Sequence, residues 1–250
     1  MTEFAATYDE LIANAWIRRY VVPPSGDTGN LWFNLGEGSS DTDEVAELDR
    51  VAIALNEVQE VAISGSPTGG DITLTFGGDT TDPIAYDASA DDVRDALMAL
   101  DSIRNPEGGW SDVGRVYVTG GPGPDTAWEV EFAWALGHTD QSLMTADDSG
   151  LTGGTDPEVT VTEEVAGMSL LGSYTDDATS GGRLKDNDAV IEMGEASGDN
   201  TATHGQYWTA ETGGDMIQSH ELESNVAYTT NQPVEVPAGN LDLLGAGYPD

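Results

Sequence analysis

The chain has 250 residues, 31 glycines, no cysteine, and eight basic side chains against 46 acidic ones, a formal net charge of −38. That balance excludes a nucleic-acid binder, because phosphate contacts need lysine and arginine, and it opposes an anionic membrane surface. The missing cysteines exclude disulfides and thiolate metal sites, and no apolar run reaches the length of a membrane span.

In chain order, Phe4, Tyr8, Leu11, Ile12, Ala15 and Trp16 repeat at helical spacing, with Pro23 and Pro24 as the stop. A strand is expected at Leu31 to Leu35, an acidic loop at Ser39 to Asp49, and a strand at Arg50 to Leu55. From Asn56 the texture changes. Val58, Val61 and Ile63 open a strand, Pro67 to Gly70 make a turn, and Ile72, Leu74 and Phe76 alternate with Thr73 and Thr75. Ser89 with Asp92 forms a capping-box pattern ahead of a helix over Ala90 to Leu100. Strands follow at Val116 to Val118 and Val130 to Trp134, the second with Glu129 and Glu131 facing outward. Gly120-Gly121-Pro122-Gly123-Pro124 joins them, and Val159 with Val161 closes the segment.

After Gly167 the first texture returns. Thr175 to Gly182 reads as a polar loop and Glu211 to Asp215 as a Gly-Gly turn. Strands are expected at Ala189 to Met193, Gln206 to Thr209, Met216 to Leu222, Val226 to Thr229 and Val234 to Leu244, the last interrupted or at an edge because of Pro233 and Pro237.

No residue pattern marks catalysis. His138, His204 and His220 are too scattered for a zinc signature. Asp41, Asp43 and Glu44, then Asp147 and Asp148, then Asp186 and Asp188, offer oxygen ligands for calcium, but none sits in an EF-hand loop. Gly120 to Gly123 lacks the Lys and Ser or Thr of a phosphate loop. Trp16, Trp32, Trp110, Trp128, Trp134 and Trp208 line a sugar groove or, more commonly for such residues, anchor a core. No catalytic, cofactor or metal residue is therefore assigned. The acidity, spread along the whole chain, suits a solvated surface in high salt; a DNA mimic or a calcium-loaded protein is the sharper reading. The first residues lack a basic region followed by an apolar run, so no secretory signal is expected, and the protein reaches its destination by assembly or lysis or stays inside a cell.

Two resemblances cover most of the chain. Asn56-Glu57-Val58-Gln59, Pro67-Thr68-Gly69-Gly70, Ile72-Thr73-Leu74-Thr75-Phe76, Ile84-Ala85-Tyr86-Asp87-Ala88, the Ala90–Leu100 helix, Val118 to Pro124, and Gly150 to Thr155 together resemble an immunoglobulin-like display module of tailed-phage virion proteins. The flanks resemble small phage tail-fibre or head-decoration proteins. Their matching stretches are Phe4 to Trp16, Leu31 to Leu35, Leu48 to Ala52, His204 to Gly214 and Val234 to Leu241. The resemblances imply a mainly β chain: a β-sandwich base of residues 1–55 and 167–250 with an N-terminal helix, carrying an inserted immunoglobulin-like domain at 56–166 that holds one helix.

The implied role is non-enzymatic. It is that of a virion structural protein on the particle exterior, foremost a minor capsid (decoration) protein that binds the major capsid protein as a homo-oligomer. The alternative is a tail or tail-fibre component that binds tail subunits and a host-surface glycan through an exposed Trp110 or Trp128. No cofactor, nucleic acid or membrane enters either reading. The acidity fits a halophilic host or a high-GC bacterium.

Overall fold

The computed structural model describes residues 30–104, 114–176, 183–187, 189–239 and 242–244. The chain is mainly β. In order come β1 (Leu31–Gly36), β2 (Val51–Leu55), β3 (Val58–Ser64), β4 (Gly69–Phe76), β5 (Asp79–Thr80) and β6 (Ile84–Ala85), then helices α1 (Ala90–Met98) and α2 (Asp101–Arg104). Next are β7 (Gly114–Gly120), β8 (Trp128–Trp134), β9 (Thr145–Asp147), β10 (Leu151–Thr152), β11 (Glu158–Val165) and β12 (Met168–Ser169). The last are β13 (Leu171–Asp176), β14 (Arg183–Asn187), β15 (Ile191–Glu195), β16 (Asn200–Trp208), β17 (Met216–Tyr228), β18 (Pro233–Val236) and β19 (Asp242–Leu244). Two compact units result: Leu55–Met168, and the two flanks Met1–Ala54 with Ser169–Asp250.

The central unit has two sheets around one core. One runs β11-β3-β8-β7; the other gathers β5, β6, β9 and β10 around β4. Alternation decides which side chains enter. Val61 and Ile63 of β3, Trp128, Val130 and Phe132 of β8, and Ile72, Leu74 and Phe76 of β4 all join one apolar cluster. Glu60 and Glu129 fall in the opposite phase and stand outward as direct neighbours across β3 and β8. α1 begins at Ser89, whose hydroxyl accepts from the Asp92 amide while the Asp92 carboxylate accepts from the Ser89 amide. That box satisfies orphan donors of the first turn, and Val93 and Leu97 then enter the core.

One end of this unit is locked by close backbone approach. Thr68 N–H donates to Thr152 O and Thr155 N–H to Gly65 O, at 2.9 and 2.8 Å. Gly154, at φ +70°, sits where a Cβ would strike the Gly65 and Ser66 carbonyls, so no other residue fits there. At the opposite end Val58 pairs with Val165, bringing the entering and leaving chain together.

In the flanking unit the main sheet runs β12-β2-β1-β16-β17, with a three-stranded β13-β14-β19 sheet and a β15-β18 pair. Leu31, Phe33 and Leu35 of β1 and Tyr207 of β16 face one apolar cluster. The other face of β1 carries a buried polar side chain, Asn34, beside the half-buried Trp32. Asn34 stands opposite Gln206; its amide donates to Glu44 Oε1 and to the carbonyls of Val45 and Leu48. Gln206 donates to Ser40 O and Gly38 O. These side chains pin the acidic stretch after β1 against the sheet, with Thr203 Oγ1 on Glu37 O and Ser219 Oγ on Ser39 O.

The expected strands at Leu31 to Leu35, Arg50 to Leu55, Ile72 to Phe76 and Val130 to Trp134 are present within three residues at either end. Several expectations need correction. The acidic stretch is pinned, with a 3-10 turn at Asp41–Asp43. The helix predicted over Ala90 to Leu100 stops at Met98, and a second turn of helix, α2, follows. Gly69 and Gly70, expected in a turn, already belong to β4. Thr175 and Asp176, expected in a loop, belong to β13. The strands expected at Met216 to Leu222 and Val226 to Thr229 merge into one irregular strand that ends at Tyr228, and Val234 to Leu244 splits into β18 and β19 in different sheets. The helix expected at Phe4 to Trp16 lies outside the described residues, as do Trp16 and Trp110.

Candidate functional site

Phase along β3 carries more than apolar residues inward. Gln59 and Glu57 share the inward phase of Val61 and Ile63, and both are fully buried. The Gln59 amide donates to Glu57 Oε1 at 2.5 Å, and its oxygen accepts from Met144 N–H at 2.9 Å. Glu57 Oε2 accepts from Gln141 N–H. Asp140 and Glu163, both exposed, complete a trio with Glu57 whose carboxylate oxygens lie within 4.8 Å of one another. Burial pushes the Glu57 carboxyl up; the bonds from Gln59 and Gln141 pull it back, and the charges of Glu163 and Asp140 push it up again, for a net rise. Three hard oxygens of this kind suit calcium or magnesium. Glu57, already engaged by two donors, and Gln59 also fix the loop ahead of β9 to β3, through Gln141 N–H, Ser142 O and Met144 N–H. Their signal in the sequence was the strand phase, two and four residues before Val61.

Among the described residues, the calcium candidates read from the sequence do not converge. Asp43 caps Ser40, and Glu44 pairs with Arg50. Asp147 accepts from Ser149 N–H and Asp148 from Val159 N–H. Asp186 lies in β14, and Asp188 is outside the described residues. His204 Nδ1 shares a hydrogen bond with Thr203 Oγ1, and His138 donates its backbone N–H to Asn56; His220 lies in β17. Gly121 and Gly123 lie under the Trp128 ring, which makes that glycine run a packing turn.

Trp128 is fully buried, and its Nε1 donates to Ala88 O at 3.1 Å. The expectation of an exposed Trp128 in a sugar groove is therefore wrong: alternation along β8 sends it to the core. Trp208 is buried beneath Arg50, while Trp32 and Trp134 are half-buried. Trp134 lies beside Arg115, whose guanidinium is 4.8 Å from its ring centroid.

The outer face of the β11-β3-β8-β7 sheet is acidic. Glu60, Glu129, Glu131 and Glu158 stand on it with Thr160 and Thr162. Like charges opposite each other, as at Glu60 and Glu129, do not help the sheet. Such a face is tolerated in salt and suits contact with a basic partner.

No family model matches the chain. It is similar to a tail sheath protein of Mycobacterium phage Bxz1, 34% identical over 113 residues. The match is 45% of this chain and 17% of the phage protein, so the chain spans less than a fifth of that relative's length.

Proposed function

We propose that this chain is a non-enzymatic structural component of a tailed-phage particle. The observation that carries the reading is the similarity to a phage tail sheath protein. The matched length equals that of Leu55–Met168 within a residue or two. We take the shared stretch to be this unit, a module set into unrelated virion proteins. The adjacent chain ends at Val58 and Val165 suit insertion into a host fold. In this reading the discontinuous unit attaches to the particle, and the immunoglobulin-like unit projects from it. Many copies on a symmetric lattice make weak contacts effective.

The name of the relative favours the tail. Head decoration is the second reading and rests on the resemblance of the flanks to decoration proteins. Gold-labelled antibody against this chain, applied to purified particles, separates them. Label along the tail supports the first and label over the shell the second; particles that carry none contradict both.

A further inference from the structure

We propose that the outer edge of β11 accepts an extended segment of a neighbouring virion subunit as an added antiparallel strand, with apolar residues alternating with lysine or arginine. The proposal rests on the virion reading for the partner's identity, while the edge itself is read from the geometry.

β3 shares its backbone bonds between two neighbours. Glu57 O accepts from Phe132 N–H on β8, so Gln59 and Val61 face β8 and Glu60, Ala62 and Ser64 face β11. Their register partners Thr162, Thr160 and Glu158 therefore spend their backbone groups on β3. Val159, Val161 and Glu163 point theirs away. Asp148 Oδ2 takes the Val159 amide at 3.2 Å, which confirms the direction. Among the described residues no strand pairs with that side of β11; β9 packs close to β11, and the Asp148 side chain that follows it covers Val159, which leaves the outward amides and carbonyls of Val161 and Glu163 for an added strand. At the far side of the same sheet, α1 and α2 pack against β7. Exposed sheet edges are ordinarily covered or blunted; this one carries no proline, and its glutamates and the irregularity after Glu163 discourage pairing with another acidic strand and leave a basic one favoured.

The side chains specify the occupant. Val159 and Val161 are half-buried against the core, so an added strand would complete their cover with apolar residues on that face. On the other face stand Glu158, Thr160 and Thr162, with Glu60 one strand further in. Glu164 is held at the margin by the Thr162 hydroxyl at 3.2 Å. A second copy of the chain, paired antiparallel about Val161, would set Glu158 opposite Glu164 of the other copy, and like charges facing across strands are unfavourable. A basic strand neutralises them. The irregularity between Glu163 and Val165 ends the flat run, so the added strand is short.

The test uses the full chain and two synthetic peptides of one alternating valine-based sequence, one with lysine and one with glutamate at the outward positions. Amide hydrogen exchange is read residue by residue. The lysine peptide should slow exchange at Val161 and Glu163, the glutamate peptide should not, and high salt should erase the effect. Val161→Pro removes an outward donor and should abolish the protection. Should that variant fold poorly, the Glu60→Lys, Glu158→Lys variant, which reverses the charge of the face that meets the lysines, should transfer the preference to the glutamate peptide. Equal protection by both peptides, or none by either, overturns the proposal. Antibody labelling of particles is read separately, so an edge that binds the lysine peptide in a chain absent from particles would sink only the virion reading.

Discussion

The guanidinium of Arg50 lies 3.5 Å from the centroid of the Trp208 ring. From that position it makes two bonds to Glu44, at 2.7 and 2.9 Å, and donates to Ala210 O and Gly213 O. A single side chain thereby joins β2, the acidic stretch and the Gly-Gly turn after β16. Arginine suits this because its planar fork bonds a carboxylate twice while stacking on an aromatic face.

Arg50→Ala is therefore expected to destabilise the flanking unit by about 2–4 kcal/mol, since it strands a partly buried carboxylate. Arg50→Lys should recover only part of this. The pH profile gives a second reading. Burial alone would raise the Glu44 carboxyl, but bonds from Arg50 and Asn34 and the Arg50 charge outweigh it and leave it lowered. A lowered carboxyl contributes stability above its ordinary pKa that is lost as pH falls through the folded value. Denaturant melts across the acid range should show that loss in the parent chain and a flatter profile in Arg50→Ala.

Tyr228 gives the opposite expectation. Its hydroxyl is buried without a hydrogen-bond partner. Burial, with the charges of Glu47 and Glu37, pushes its pKa up to about 12. Tyr228→Phe removes an unsatisfied polar group and should be neutral or stabilising, by up to about 1 kcal/mol. The folded chain holds this proton more tightly than the unfolded one, so stability falls as pH rises from 10 towards about 12. Melts in that window should lose this decline in the variant.

For the central unit, the raised Glu57 carboxyl costs stability as pH climbs above its ordinary 4.5. Glu163→Gln and Asp140→Asn each remove a charge that pushes it up. Each should raise the melting temperature at neutral pH, by on the order of 0.5 kcal/mol in stability, and make the profile flatter. Should the trio hold calcium instead, the parent chain would gain stability on adding the ion and both variants would lose that gain.

Trp128→Ala should cost the central unit about 3–5 kcal/mol, the range for emptying a buried aromatic site. Glycan-array binding by the folded, milder Trp128→Phe variant should match the parent, because the ring faces the core. A selective loss of glycan binding there would revive the adhesin reading for this residue.

Alternation made β4 and β8 legible, because Ile72, Leu74, Phe76, Val130 and Phe132 each enter a core on one face only. Ser89 and Asp92 announced α1 through local bonds. Elsewhere the controlling interactions were distant. β13 and β14 are polar strands with no alternation to read. β16 starts at Asn200, six residues before its expected start, since Asn200 to Thr203 gain extended structure from β17. The Glu57 trio joins residues far apart in sequence, and Arg50 reaches carbonyls about 160 residues away. Turn chemistry foretold the bend at Gly213 and Gly214; nothing local foretold that Arg50 would clasp it.

The virion reading meets its most direct test in averaged images of particles grown with a chain lacking Leu55–Met168. The account predicts that a discrete projecting density disappears at every symmetry-related position while the rest of the particle is unchanged. Particles indistinguishable from the parent, with the chain recovered only in the unassembled fraction, would contradict it.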